Sequence, residues 1–252
     1  MIFLLKMVNK GELQATISKY NLSGMIDAVK WTVKDKQLNI KFNAPTKDMI
    51  GEVTYKGFDL EDCEIAIYNT SQLDKLLGIT SGDLNLQLEK TGRVFSKLVI
   101  EDVNYKLNYS LSDLLLINEP GKVNDPNDYI IESTFESDAI SAVIKAKNAL
   151  QSDNVNFTIT QNFDGEQVLT MVFGDNSNHT NKIEYIVPDT VITGEQYNFN
   201  IPFNSEMIRV IFANNKDANV AHMSLNIQGL LKFVFEGDNW KSTYYIVRKA
   251  DQ

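Results

Sequence analysis

Few residues in this chain could carry out covalent chemistry. The 252 residues include one cysteine, Cys63, and two histidines, His179 and His222. A nucleophile–base pair needs a thiol or hydroxyl beside a histidine, and neither histidine stands in a recognisable catalytic motif. Cys63 lies where apolar and polar residues alternate, which predicts a half-buried strand residue. We therefore expect no enzymatic activity, no catalytic residues and no zinc site.

Phosphate-binding and cation-binding motifs are also missing. The sequence has no Walker-type lysine loop, and Gly165 in residues 162–165 predicts a hairpin turn. The acidic groups at residues 61–64 and 125–128 lack the glycine and terminal glutamate of a calcium loop, so they predict solvated turns. We expect neither a cofactor nor a metal ion.

The charge balance restricts the possible partners. Lys and Arg total 24 and Asp and Glu total 33, which gives a formal net charge of −9. This balance excludes a uniformly basic nucleic-acid-binding protein. It is compatible with a local basic surface on an acidic body, because net charge does not fix where the charges lie. With 43% apolar and 23% charged residues, the composition is that of an ordinary globular protein.

Targeting and membrane segments are not predicted. The apolar run at residues 1–5 is shorter than the central region of a signal peptide. No stretch approaches the roughly 18–20 apolar residues that span a bilayer. We expect a soluble intracellular protein with no membrane partner.

Two kinds of periodicity predict the elements that must position any functional residue. Short alternating segments cover most of the chain and predict antiparallel strands. Four segments have a helical period instead: residues 9–20, 70–78, 137–151 and 204–216. The clearest is 204–216, where Met207, Ile208 and Ile211 fall on one face.

The helices recur at equivalent places in two halves of the chain. The first helix of each half begins near Glu12 and Ala139, and the second near Ser71 and Ser205. Each half thus consists of a helix, about four strands, a second helix and further strands, which predicts an internal duplication. The predicted fold class is α+β, with two helices packed on antiparallel sheets in each domain. We expect domains at residues 1–128 and 129–252, with a connector at about 111–133 that is rich in turn residues.

Positive charge on the predicted helices is the remaining unusual feature. Lys75, Lys145, Arg209 and Lys216 fall on their polar faces. An exposed lysine on a helix is most often only a solvated residue, so this pattern alone does not predict a nucleic-acid site.

Two stretches carry a resemblance to a known family. Residues 63–69, followed by Leu73, Leu76, Leu77, Gly78 and Ile79, resemble the middle of the first domain of sliding clamps from myovirus-type tailed bacteriophages. Residues 197–201 lead into a helix, and residues 231–237 with Phe-Glu-Gly are followed by 244–247; this order also resembles that family. The sequence departs from the pattern in the connector and around residues 90–109.

The resemblance implies two domains of one duplicated fold, three subunits in a ring of six domains, and helices that line the hole. It implies a sliding clamp that encircles duplex DNA without reading its sequence and tethers the replicative DNA polymerase for processive viral DNA replication. The implied partners are a clamp loader ATPase and late-transcription factors, besides the polymerase. The implied location is the cytoplasm of the infected bacterial host. A β-sandwich structural or receptor-binding protein of a virion is the alternative, because a strand-rich, acidic composition suits it equally.

The resemblance also implies three sets of site residues. The expected DNA-binding residues on the inner ring face are Lys10, Lys19, Lys75, Lys145, Lys147, Arg209 and Lys216. The expected subunit interface pairs two exposed strand edges through Tyr105, Leu107, Tyr109, Ile183, Tyr185 and Val187. The expected partner-binding residues in the connector are Leu114, Leu115, Leu116 and Ile117, although these could equally cover the strands below them.

Overall fold

The computed structural model describes residues 7–121, 123–174, 181–194 and 199–249. The chain divides into two compact units, of which unit 1 is Met1–Gly121 with Asn239–Ser242, and unit 2 is Lys122–Asp238 with Thr243–Gln252. The division falls inside the predicted connector, before the expected boundary at Asp128. The return of Asn239–Ser242 to unit 1 was not predicted.

Unit 1 contains two helices and two antiparallel sheets. In chain order its elements are β1 (Met7–Asn9), α1 (Lys10–Asn21), β2 (Val29–Lys34), β3 (Gln37–Asn43), β4 (Met49–Lys56), β5 (Cys63–Ile67), α2 (Thr70–Ile79), β6 (Asp83–Thr91), β7 (Val94–Glu101) and β8 (Lys106–Ser110). One sheet has the order β1-β6-β7-β8, and the strands of the other follow the order β4-β3-β2-β5. A short 3₁₀ helix, η1 (Leu114–Leu116), follows β8.

Unit 2 repeats this arrangement. Its elements are β9 (Tyr129–Phe135), α3 (Ser137–Ala149), β10 (Asn154–Gln161), β11 (Gln167–Phe173), β12 (Ile183–Ile186), β13 (Thr190–Ile192), β14 (Asn200–Asn204), α4 (Ser205–Asn214), β15 (Val220–Asn226), β16 (Leu230–Glu236) and β17 (Trp240–Val247). The first three residues of β17, Trp240–Ser242, belong to unit 1. One sheet has the order β12-β11-β10-β14, and the other begins β13-β9-β15-β16-β17.

The two units therefore share one order of elements, apart from the additional strand β13. All four predicted helices are present, and their ends differ from the predicted ends by only a few residues. One expectation is wrong: β9 begins at Tyr129, inside the segment predicted as connector. Ile131 and Phe135 of β9 are buried, and the alternation that marks this strand starts immediately after the turn residues. Among the described residues, no helix is long and apolar enough to cross a membrane.

Asparagine side chains define where three of the helices begin. Asn9, Asn69 and Asn204 each accept a hydrogen bond from a backbone N–H in the first turn of α1, α2 and α4. Such caps satisfy donors that have no partner within the helix. The helix starts are therefore fixed by local sequence.

Each unit has its own aromatic core. In unit 1, Trp31 is fully buried, and its ring meets Phe58 edge to face while its Nε1 donates to the Tyr20 hydroxyl at 3.3 Å. In unit 2, Phe212 of α4 meets Phe135 and Phe233 edge to face, with centroids 5.5 and 4.9 Å apart. These contacts pack α1 and α4 against the strands of their own units.

Candidate nucleic-acid and partner interfaces

The single cysteine of the chain lies in unreactive surroundings. Burial, reinforced by the neighbouring carboxylates of Glu61, Asp62 and Glu64, raises the pKa of the Cys63 thiol to about 12. A thiol with such a pKa is a poor nucleophile at neutral pH. His222 lies on β15 with its Nδ1 3.3 Å from the Thr134 hydroxyl, and His179 lies outside the described residues. No three His, Cys, Asp or Glu side chains within the described ranges could together hold a metal ion.

The acidic groups at residues 61–64 and 125–128 contain structural side chains. The Asp62 carboxylate accepts a hydrogen bond from the Asp35 backbone N–H at 3.0 Å. The Asp125 carboxylate binds the Lys232 ammonium group and accepts from the Tyr129 hydroxyl at 2.8 Å. These contacts hold turns in place, and neither is a calcium loop.

The four helices carry more positive than negative charge, although the chain as a whole is acidic. Within their bounds lie six Lys or Arg and four Asp or Glu, whereas the whole chain has 24 and 33. Lys75, Lys145 and Lys216 are exposed and Lys147 is half-buried. Lys216 lies just after α4, which ends at Asn214. Lys75 and Lys145 lie on the solvent side of their helices and Lys216 lies beside a helix end, whereas the half-buried Lys147 lies nearer the apolar side of α3.

Two of the predicted DNA-binding residues are occupied by contacts within the chain. The Lys10 ammonium group donates to the backbone C=O groups of Gly78 and Thr80 at the end of α2. Arg209 donates through Nε to Glu206 at 2.9 Å, and this hydrogen bond raises the pKa of the guanidinium and lowers the pKa of the carboxylate. Their positive charges are therefore partly compensated before any ligand arrives.

The prediction for Lys19 is wrong, because its side chain is 1% exposed. Its Nζ lies 3.9 Å from the ring centroid of Trp240, in the segment Asn239–Ser242 that belongs to unit 1. The buried face of α1 includes Thr16 and Tyr20 as well as the aliphatic residues, so it extends as far as Lys19. Lys19 is a core residue of unit 1 and does not lie on the exposed helix face.

Strand β8 leaves one side of its backbone open. It is the last strand of its sheet, and beside it the Asp102 N–H donates to the Tyr105 C=O at 3.0 Å. Residues of an antiparallel strand alternate between bonding the neighbouring strand and facing away from it. In this register Lys106, Asn108 and Ser110 direct their backbone N–H and C=O groups away from β7.

Strand β12 has the same property in unit 2. It ends the sheet β12-β11-β10-β14, and the Val187 N–H beside it donates to the Leu169 C=O at 2.8 Å. By the same alternation, Glu184 and Ile186 direct their backbone groups away from β11. Each unit thus presents one short open sheet edge in the region predicted for subunit contact.

The six predicted interface residues lie on or next to these edges. Their backbone N–H and C=O groups point toward the neighbouring strand of the same sheet, so they are not the residues whose backbone faces outward: Tyr105, Leu107, Tyr109, Ile183, Tyr185 and Val187. Tyr109 and Val187 are also buried, with 4% and 3% exposure. The Tyr109 hydroxyl accepts from the Asn69 N–H and donates to the Asn69 C=O, both at 3.0 Å. The side chains of Tyr109 and Val187 therefore do not provide a surface for another chain.

Three of the four connector residues predicted to bind a partner form η1 (Leu114–Leu116), and the fourth, Ile117, follows it directly. The Asp113 side chain caps η1 by accepting from the Leu115 N–H at 2.9 Å. Leu115 is 92% exposed and Leu116 is 64% exposed, so they do not serve to cover the strands below. Leu114 is exposed and Ile117 is half-buried.

A cavity of about 240 Å³ lies beside η1 in unit 1. Its lining residues come from the loop after α1, the end of β3 and the connector: Met25, Ile26, Asp27, Ala28, Phe42, Asn43, Pro45, Leu116 and Asn118. Of the four predicted partner-binding residues, the structure brings Leu116 to this cavity. The sequence did not indicate the lining residues from outside the connector, since only the fold brings them together.

The connector is tied to the sheet of unit 1 by an ion pair. The Lys30 ammonium group on β2 lies 2.7 Å from the Glu119 carboxylate and 3.3 Å from that of Glu64 on β5. The hydrogen bond to Glu119 raises the pKa of Lys30. Lys30 therefore contacts both strand β5 and the downstream part of the connector segment that lines the cavity.

Comparison with known proteins identifies the fold. PCNA from Entamoeba histolytica is 15% identical, with 97% of each chain covered and a TM-score of 0.71. PCNA from A. fulgidus, solved with the C-terminal region of FEN-1 bound, is 12% identical, with 98% of each chain covered and a TM-score of 0.76. PCNA from Thermococcus kodakaraensis is 15% identical over 95% of this chain and 97% of that chain, with a TM-score of 0.72. No family model and no curated protein sequence matches the chain.

The chain has the fold of PCNA-type sliding clamps. The match extends over almost the whole length of the chain and of the compared proteins, so it includes both units. The predicted fold class, with two duplicated domains of two helices and antiparallel sheets, is confirmed. The β-sandwich alternative is wrong as a fold, because each unit packs two helices on its strands.

The different surroundings of Lys19 and Lys145 lead to a testable difference in stability. Lys19→Glu places a carboxylate in a buried site, so we expect the free energy of unfolding of unit 1 to fall by about 3 kcal/mol. Lys145→Glu changes an exposed residue and should shift it by less than about 0.5 kcal/mol. Urea unfolding followed by tryptophan fluorescence measures the effect of Lys19→Glu, since both tryptophans, Trp31 and Trp240, belong to unit 1. Unfolding of Lys145→Glu is followed by circular dichroism. If both variants lower the free energy of unfolding equally, Lys19 is not a core residue.

Proposed function

We propose that this protein is a sliding clamp, a non-catalytic ring that encircles duplex DNA and tethers a replicative DNA polymerase. The observation that carries the proposal is the duplicated fold, which matches PCNA-type clamps over 95–98% of the chain. The unreactive surroundings of Cys63 agree with a protein that acts by holding other molecules.

The helix charges support sequence-independent contact with DNA. A clamp must move along the duplex, so loose contacts between lysines and phosphates are suitable and base-specific contacts are not. Lys75, Lys145, Lys147 and Lys216 are the residues that we assign to this contact. Lys10 and Arg209 are secondary, because carbonyl groups and Glu206 already bind them.

Charge reversal on the helices should impair clamp activity without unfolding the protein. We expect Lys75→Glu with Lys145→Glu to reduce processive synthesis by about tenfold at low salt, because phosphate contacts contribute most when screening is weak. The measurement is product length on a primed circular template, with the polymerase and clamp loader encoded in the same genome.

The matched control for this experiment is Lys34→Glu with Lys56→Glu. It makes the same change of charge at exposed positions on strands β2 and β4. The control should behave like the parent. If the helix variant also behaves like the parent, these helices do not face DNA.

We propose that the ring is a homotrimer closed by antiparallel pairing of β8 with β12 of a neighbouring chain. Three chains of two domains give a six-domain ring, and one heterologous contact repeated by cyclic symmetry closes it. The open backbone groups of Lys106, Asn108 and Ser110 on one edge and of Glu184 and Ile186 on the other supply the hydrogen bonds. The pairing removes both edges from water.

A proline on the open edge should dissociate the trimer. Asn108→Pro removes an N–H that points away from β7, so it blocks pairing with another chain and spares the sheet of unit 1. We expect a trimer for the parent and for Asn108→Ala, and a folded monomer for Asn108→Pro, by light scattering at micromolar concentration with circular dichroism as a check. A trimeric Asn108→Pro protein would exclude this edge, and a monomeric parent would count against the ring.

We propose that the cavity beside η1 receives an apolar segment from the DNA polymerase. The A. fulgidus PCNA was solved with the C-terminal region of FEN-1 bound, so a protein of this fold can hold a terminal segment of another protein. Met25, Ile26, Phe42 and Leu116 provide an apolar lining, and a helical turn of exposed leucines lies at its rim. A short apolar segment could fill a site of this size.

Alanine substitutions in η1 test this docking site. Leu116→Ala should weaken polymerase binding by about 1–2 kcal/mol, as for other interface anchors, and should leave the trimer intact. Leu115→Ala is the control, because Leu115 is exposed in the same turn and does not line the cavity. Isothermal titration with the polymerase measures both, and equal affinities would place the docking site elsewhere.

We further propose that the clamp serves viral DNA replication in the cytoplasm of an infected bacterium, with an ATP-driven clamp loader and late-transcription factors as additional partners. This assignment rests on the resemblance of residues 63–69 and 231–237 to clamps of myovirus-type bacteriophages.

A further inference from the structure

The segment of connector that walls the cavity is held at both ends. Upstream, the Ser112 N–H donates to the Ala66 C=O of β5 at 3.2 Å. Downstream, the Glu119 carboxylate binds Lys30 of β2 at 2.7 Å. Leu116 and Asn118, the connector residues that line the cavity, lie between these two contacts.

The two ends are held by different kinds of interaction. The upstream contact is a backbone hydrogen bond that continues from the sheet, whereas the downstream contact is a pair of charged side chains. The Lys30 side chain is 19% exposed and that of Glu119 is 34% exposed, so the pair is partly screened from water. The downstream end therefore depends on charge.

The surroundings of Lys30 favour its contact with Glu119. Lys41 lies directly opposite Lys30 on β3, and like charges in this position repel each other. Glu64, at 3.3 Å, compensates part of this charge from β5 but has no link to the connector. Glu119 is the carboxylate that both compensates Lys30 and restrains the chain beside the cavity.

We propose that Lys30 is a positioning residue, which through Glu119 keeps the connector against β2 and so preforms the wall of the cavity. The effect of this ion pair on binding rests on the docking proposed above, because a preformed cavity wall lowers the entropy lost when a partner segment binds. The restraint itself is a property of the free chain and is measurable without a partner.

Glu119→Gln and Glu64→Gln separate the restraint from a general effect on Lys30. Each removes one carboxylate from the same lysine, and only the first releases the connector. We expect amide hydrogen exchange in residues 114–119 of the free chain to accelerate about two- to fivefold in Glu119→Gln, the range of a partly exposed ion pair, and to stay near the parent rate in Glu64→Gln. Lys30→Gln should reproduce the effect of Glu119→Gln.

The Met25 methyl group reports on the cavity itself, because Met25 lines it together with the connector residues Leu116 and Asn118. We expect its NMR resonance to move in Glu119→Gln and to keep its position in Glu64→Gln. High salt should accelerate connector exchange in the parent, since it screens the ion pair, with little further effect in Glu119→Gln.

Polymerase binding supplies the last comparison. We expect Glu119→Gln to bind the polymerase about two- to fivefold more weakly than Glu64→Gln. Unchanged exchange in Glu119→Gln, or equal exchange in the two variants, would overturn the proposal. Faster exchange with unchanged affinity would overturn the role of Lys30 in docking. A parent that exchanges as expected but binds no polymerase would instead refute the docking site and leave the restraint standing.

Discussion

In each unit two helices bury one face against antiparallel strands, and the distribution of charge in this chain follows from that burial. In α4, Met207, Ile208 and Phe212 are buried, which leaves Glu206 and Arg209 on the opposite side. A helix that packs on a sheet with one face must expose the other. Because the fold is duplicated, four such polar faces arise at equivalent positions. They carry a small excess of positive charge in a chain whose net charge is −9.

The helices and the duplication could be predicted because their signals are local. The helical period and the asparagine caps lie within short stretches of sequence. The duplication follows when such stretches recur in the same order in both halves of the chain. The prediction for Lys19 was wrong because it, too, rested on a local pattern alone. Leu13 and Ile17 are the aliphatic residues of the buried face of α1, but Thr16 and Tyr20 also belong to it, and this wider face reaches Lys19. The ring of Trp240 that covers its ammonium group is distant in sequence, so no local pattern could have indicated it.

Contacts between distant segments account for what the sequence did not predict at the candidate sites. The alternation of apolar and polar residues identified the strands β8 and β12. Which residues of each strand direct their backbone groups outward depends on its register with the neighbouring strand, and that register is set by a distant segment. Leucines in the connector suggested a partner site. The cavity beside them needed Met25 and Phe42 from elsewhere in the unit. Arg209 differs from these cases, because Glu206 lies one helical turn before it and the ion pair could have been read from the sequence.

The pairing of charges within the chain decides which lysines can meet a polyanion. Several lysines outside the helices already bind carboxylates: Lys30, Lys36, Lys97, Lys106, Lys182 and Lys232. A paired lysine gains less from a phosphate, since it must give up its carboxylate first. Lys75 and Lys145 form no ion pair with the described residues and carry uncompensated charge on flexible, exposed side chains. A few such contacts per subunit give attraction that is weak and independent of sequence. In the clamp that we propose, closure of the ring would retain the DNA, so weak attraction is sufficient and tight binding would hinder sliding.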